Sequence, residues 1–143
     1  MQLQSSENIE ILSNTLFNIR TSILLLQEWN KGVVSSDEWV DSSSGMQKLA
    51  ANCMLIEAIG EAVKKIEKRA GMDFLNLQPQ IPWLEVMSMR NHIAHGYFDL
   101  DDAFVLSVIQ NDLEPLLNAV DYLMKELEVQ RTGLEVDASL DTK

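Results

Sequence analysis

"SENIEILSNTLFNIRTSILLLQEW", residues 6–29, carries Ile9, Leu12, Leu16, Ile19, Ile23 and Leu26 at alternating gaps of three and four. At 3.6 residues per turn this spacing gathers all six on one helical stripe, whereas a strand would scatter them over both faces. The same period recurs outward from this stretch. Leu49, Cys53, Ile56, Gly60 and Val63 form one stripe between about Gly45 and Arg69, and Leu55, Ile59, Ala62 and Ile66 form a neighbouring one. Two adjacent stripes predict a central helix covered on more than one side. Glycine inside a helix costs about 1 kcal/mol relative to alanine, so Gly60 predicts a close approach by another group.

A third helix is expected from Trp83 to about His95, with Pro82 in its first turn and Gly96 just past its end. A fourth begins at Asp99, Asp101 and Asp102, where carboxylates suit a helix N-terminus, and continues through Val105, Ile109, Leu113, Leu116, Val120, Leu123 and Leu127. Pro115 removes the hydrogen bond to the Asn111 carbonyl and predicts a kink or break. "NKGVVSSDEWVDSSSG" (30–45) reads as a long loop with one helical turn begun at Ser36, and "AGMDFLNLQPQ" (70–80) as a connector. No period-2 alternation of strand length occurs. The expectation is an all-α antiparallel bundle of four helices, up to five, over residues 1–130. An acidic, disordered tail is expected over 131–143.

The 143 residues fit one domain, and a hydrophobic fraction of 46% is that of a globular core. A formal net charge of -11 argues against broad adhesion to nucleic acid or anionic membranes but leaves room for a local phosphate site. No uninterrupted apolar run approaches the ~18 residues of a membrane span, and the N-terminus has no basic region followed by an apolar one. The lone Cys53 lies on a helical stripe and reads as a buried structural thiol. These features predict a cytoplasmic protein without a membrane partner. The high Trp, Met and Leu content predicts leftover apolar surface for self-association.

"SMRNHIAHGYFDL" (88–100) holds both histidines, His92 and His95, beside Arg90, Asn91 and Tyr97. An imidazole with a pKa near ~6.5 can take the proton of a ribose 2′-OH or protonate a leaving 5′-oxygen. A guanidinium matches phosphate oxygens and stabilises their developing charge. This chemistry needs RNA, because DNA lacks the 2′-OH, and it calls for no metal or other cofactor. A metal site on His92, His95, Asp99 and Asp101 is the competing sharp reading, but the stretch has neither an H-x-x-x-H pair nor a cysteine cluster. Spacing alone equally fits Arg90 as a buried ion-pair partner and His95 as a helix C-cap. Arg90 precedes His95 by five residues, about 140° around an ideal helix. The two can converge where Gly96 lets the chain turn, or where two copies of the motif face each other.

"MRNHIAHGYFDLD" resembles the R-x4-H-x-Y signature of the HepT-like branch of the HEPN superfamily, carried here by Arg90, His95 and Tyr97, with Asn91 matching its Arg-Asn pair. "LIEAIGEAVKKI", "IPWLEVMSMRN" and "VIQNDLEPLL" are similar to flanking segments, so the resemblance covers roughly Gln47 to Leu127. It implies a dimerising HEPN bundle in which two motifs build a composite cleft. It also implies an endoribonuclease toxin of a type II toxin–antitoxin system, with Arg90 and His95 catalytic and Asn91 and His92 supporting. The implied partners are RNA, a second copy or higher homo-oligomer, and an MntA-like nucleotidyltransferase antitoxin that attaches AMP to Tyr97. The alternative is a non-catalytic HEPN partner, or nucleotide-binding subunit, of a nucleotidyltransferase. The basic cluster Lys64, Lys65, Lys68 and Arg69 suits a helix C-terminus as well as an RNA track, and Glu57 and Glu61 suit a packing feature or a solvated face.

Overall fold

The computed structural model describes residues 4–93 and 99–141. Helix α1 spans Ser6–Trp29 and begins where Ser5 Oγ accepts from the Asn8 amide at 3.2 Å. The short α2 (Asp37–Val40) follows, then α3 (Ser43–Ala70), capped by Ser42, whose Oγ accepts from the Gly45 amide at 3.0 Å. Gly71, at φ 82°, ends α3 in a left-handed conformation that favours glycine. Next come α4 (Met72–Leu75), α5 (Trp83–Met87), α6 (Met89–Ile93) and α7 (Asp102–Ser107). A π-helical turn, Val108–Asp112, leads into α8 (Leu113–Asp141). No β-strand occurs among the described residues, so the fold is the expected all-α bundle.

α1 lies between α3 and α8, and its whole heptad stripe from Ile9 to Leu26 is buried against them. In length and hydropathy α1 could cross a membrane, but its apolar stripe is spent on this core. Arg20 Nε meets Asp121 Oδ1 at 3.0 Å and Gln27 Nε2 donates to Glu114 Oε2 at 3.1 Å. These pairs advance seven residues along α1 while retreating seven along α8, which makes the two helices antiparallel. α3 is the central helix. One side meets α1, and another meets α5 and α6. Asn30 and Asn52 exchange amide hydrogen bonds at 2.9 and 3.0 Å inside the core, joining the end of α1 to α3 with both polar groups satisfied.

Three expectations need correcting. The third helix is not continuous: it breaks at Ser88, whose hydroxyl donates to the Leu84 carbonyl at 3.0 Å, and restarts as α6. The chain beyond Arg131 is helical to Asp141, because α8 simply continues past the bundle instead of fraying at the polar tail. Pro115 does not break its helix. The preceding turn widens into the π segment, which accommodates the missing N–H and the crowding of the Asn111 carbonyl by the ring. The helical turn expected from Ser36 is present as α2, which packs Trp39, 1% exposed, over α3. The expected end of helix three at His95 and Gly96 lies outside the described residues.

Candidate functional site

The residues around Arg90 are placed by the junction of α5 and α6 against α3. A Cβ on Gly60 would sit 2.9 Å from the Val86 carbonyl oxygen, so only glycine lets α3 approach this junction so closely. Met89 and Ile93, four apart on α6, are both buried and anchor the helix to the core. Their burial turns Arg90, Asn91 and His92 to solvent. Beyond the motif, the Asp101 amide donates to the Ile93 carbonyl at 2.9 Å, and Asp101 Oδ1 caps α7 by accepting from the Phe104 amide at 3.0 Å. His95 and Tyr97 lie outside the described residues.

Arg90 is therefore not a buried ion-pair partner. Among the described residues, ion pairs hold Arg20, Lys64 and Arg131 against Asp121, Glu61 and Glu128, and none takes Arg90. An exposed guanidinium with no carboxylate partner among the described residues keeps its donors available for a phosphate. Glu61 in turn is a solvated partner of Lys64 at 3.1 Å, as a solvated face would have it. The His92 ring lies 5.4 Å from that of Phe104, tilted by 33°.

His92 and Met89 also border a cavity of about 500 Å³ between α3, α5, α6, α7, the π turn and α8. Ile59, Val86, Val108 and Leu116 give it an apolar floor, while Gln80, Glu85 and Asp112 bring polar groups to its rim. Burial of the Asp112 carboxyl, and then the negative charge of Glu85, push its pKa above the ordinary carboxylate value. Nothing in local spacing marks Glu85, Asp112 or Gln80 as members of one site. The only signals were the position of Glu85 five residues before Arg90 and the closeness of Asp112 to Pro115. Cys53 is buried as expected; burial, and then the charge of Glu57, raise its thiol to about 11.

Residues 8–123 match the family described as "Ribonuclease HepT-like". The chain is 30% identical over 110 residues to a protein of Thermococcus cleftensis named "Probable ribonuclease HepT", covering 77% of this chain and 93% of that one. It is 29% identical over 73 residues to a candidate RNase of Methanocaldococcus jannaschii, covering 51% of this chain and 57% of the relative. A second protein of that organism, named for a gamma-glutamylcyclotransferase joined to a candidate RNase, is 31% identical over 118 residues. That match covers 82% of this chain and 50% of the relative. No solved structure matches.

Proposed function

The chain belongs to the HepT-like ribonuclease family, and from that premise we propose that it is a metal-independent endoribonuclease acting as the toxin of a type II toxin–antitoxin system in the cytoplasm. The observation that carries this reading is Arg90, exposed on a helix anchored by Met89 and Ile93 and free of the ion pairs among the described residues. In a chain of net charge -11, a phosphodiester is repelled by most of the surface, so a guanidinium held out in this way sets where it binds.

In the proposed reaction the ribose 2′-oxygen attacks the adjacent phosphorus and the 5′-oxygen leaves, giving a 2′,3′-cyclic phosphate. Arg90 binds the phosphate oxygens. His95 accepts the 2′-OH proton or protonates the departing oxygen, and Asn91 and His92 support the pair. A second copy completes the cleft. An MntA-like nucleotidyltransferase silences it by transferring AMP to Tyr97, which adds bulk and negative charge where the RNA phosphate would bind.

Incubation of the purified protein with RNA tests the reading. Loss of a general acid–base group costs about 10²–10⁴-fold, and loss of an oxyanion stabiliser about 10²–10³-fold. His95→Ala and Arg90→Ala should therefore each nearly abolish cleavage, and mixing the two variants should restore part of it across the shared cleft. Equal cleavage by wild type and His95→Ala would refute the reading. After co-expression with the antitoxin, intact mass should rise by AMP units, and Tyr97→Phe should prevent it. The acidic surface favours a second reading, a non-catalytic partner of a nucleotidyltransferase. Toxicity on expression without the partner, abolished by Arg90→Ala, separates the two.

A further inference from the structure

The cavity beside α6 has no role in the reaction proposed for Arg90 and His95, yet α6, the helix that carries Arg90, forms part of its wall. Met89 and His92, which border it, stand within two residues of Arg90 on that helix. We infer that the cavity seats an unpaired guanine base of the RNA flanking the bound phosphate, with the Glu85 and Asp112 carboxylates accepting from its N1–H and its N2 amino group. The inference rests on the ribonuclease reading and adds a substrate preference to it.

Three features of the cavity point to a base. About 500 Å³ is within the range of small-molecule sites, and the apolar floor of Ile59, Val86 and Leu116 suits a flat aromatic ring. The His92–Phe104 pair at the mouth offers the ring surface on which unpaired RNA bases stack. The acidic rim, within a chain of net charge -11, admits an uncharged base and turns its phosphate back toward Arg90.

The polar groups on the rim then choose among bases. An ionised carboxylate only accepts hydrogen bonds. Guanine presents two adjacent donors, N1–H and the N2 amino group, one for each of the two carboxylates. Adenine and cytosine present one amino donor beside an acceptor nitrogen. Uracil presents its single N–H between two carbonyls that a carboxylate repels. The π turn contributes to this geometry, because it carries both Val108 of the cavity wall and Asp112 of the rim. π turns of this kind are frequent at functional sites.

The test uses RNA oligomers that differ at one position, carrying guanine, inosine, adenine, cytosine or uracil, together with binding of the four nucleoside 3′-monophosphates followed by NMR. A bidentate contact of this type discriminates by about tenfold or more. Wild type should therefore cleave beside guanine at least about tenfold faster than beside the other bases, and inosine, which lacks the N2 amino group, should lose most of that advantage. Asp112→Asn and Glu85→Gln keep the side-chain shape, and thermal melts report whether each variant folds. In both, the guanine-to-other ratio should fall toward one. Cleavage without base preference, or a preference unchanged in both variants, overturns the guanine seat and leaves the ribonuclease reading standing. Absence of any cleavage defeats the ribonuclease reading instead. The binding arm then decides alone: guanosine 3′-monophosphate that binds no tighter than the other three, or as tightly to Asp112→Asn, overturns the seat as well.

Discussion

At Gly60 one missing methyl group sets where α3 meets the α5–α6 junction that carries Arg90. An alanine Cβ there would meet the Val86 carbonyl oxygen at 2.9 Å, a backbone atom that cannot rotate away. Overpacking of this kind costs about 1–3 kcal/mol, more than the gain of about 1 kcal/mol from replacing glycine in a helix. Gly60→Ala should therefore lower the stability measured by urea denaturation and weaken RNA cleavage by displacing α6. Gly133 is the internal control. It lies in α8, and a methyl group added there would find nothing within 4 Å, so Gly133→Ala should stabilise by about 0.5–1 kcal/mol. If both substitutions move stability the same way, the contact with Val86 does not govern the site. The close approach at Gly60 was legible from a glycine inside an apolar stripe, but the identity of its neighbour was not.

At the level of elements, α8 extends beyond the body it packs on. Its last contact deep in the fold is Gln130, which is buried and accepts through Oε1 from the Gln4 amide at 2.9 Å. From Thr132 to Ser139 the side chains are exposed except for the half-buried Leu134. Truncation after Arg131 should remove helical signal from the circular dichroism spectrum while shifting the thermal midpoint by only a few degrees, because little apolar area is lost. Cooperative unfolding at room temperature in the truncated chain would show that the extension belongs to the domain. Polar composition pointed to disorder here, yet a helix already nucleated by packing propagates at little further cost. The same contrast explains α5 and α6. Their combined apolar pattern suits one helix, and the break falls at Ser88, whose hydroxyl donates to the Leu84 carbonyl.

For the molecule as a whole, the decisive quantity is charge. With net charge -11, RNA should be held through a few phosphates near Arg90 and not along a track. Each phosphate neutralised on a single strand contributes about -0.7 to the slope of log affinity against log salt concentration. One or two such contacts predict a slope of about -1, measurable by fluorescence anisotropy with the His95→Ala variant, which under the proposed mechanism binds RNA without cleaving it. A slope steeper than about -4 would mean that a broad basic surface, such as the one around Lys64 and Lys65, takes part. Those lysines lie on α3, where Lys64 is already paired with Glu61 at 3.1 Å.

The sequence by itself determined the helical class, the stripe of α1, the double stripe of α3 and the cluster of Arg90, Asn91 and His92, because these depend on local spacing and on residue chemistry. The cavity was decided only by tertiary structure. Glu85 and Asp112 belong to different elements, and no periodicity relates them; only the folded chain brings both to one cavity. Pro115 announced a disturbance, but a break, a kink and a widened turn all relieve the same lost hydrogen bond, and the surrounding core selects among them. The exposure of Arg90 was likewise settled by its neighbours, since burial of Met89 and Ile93 leaves it facing solvent.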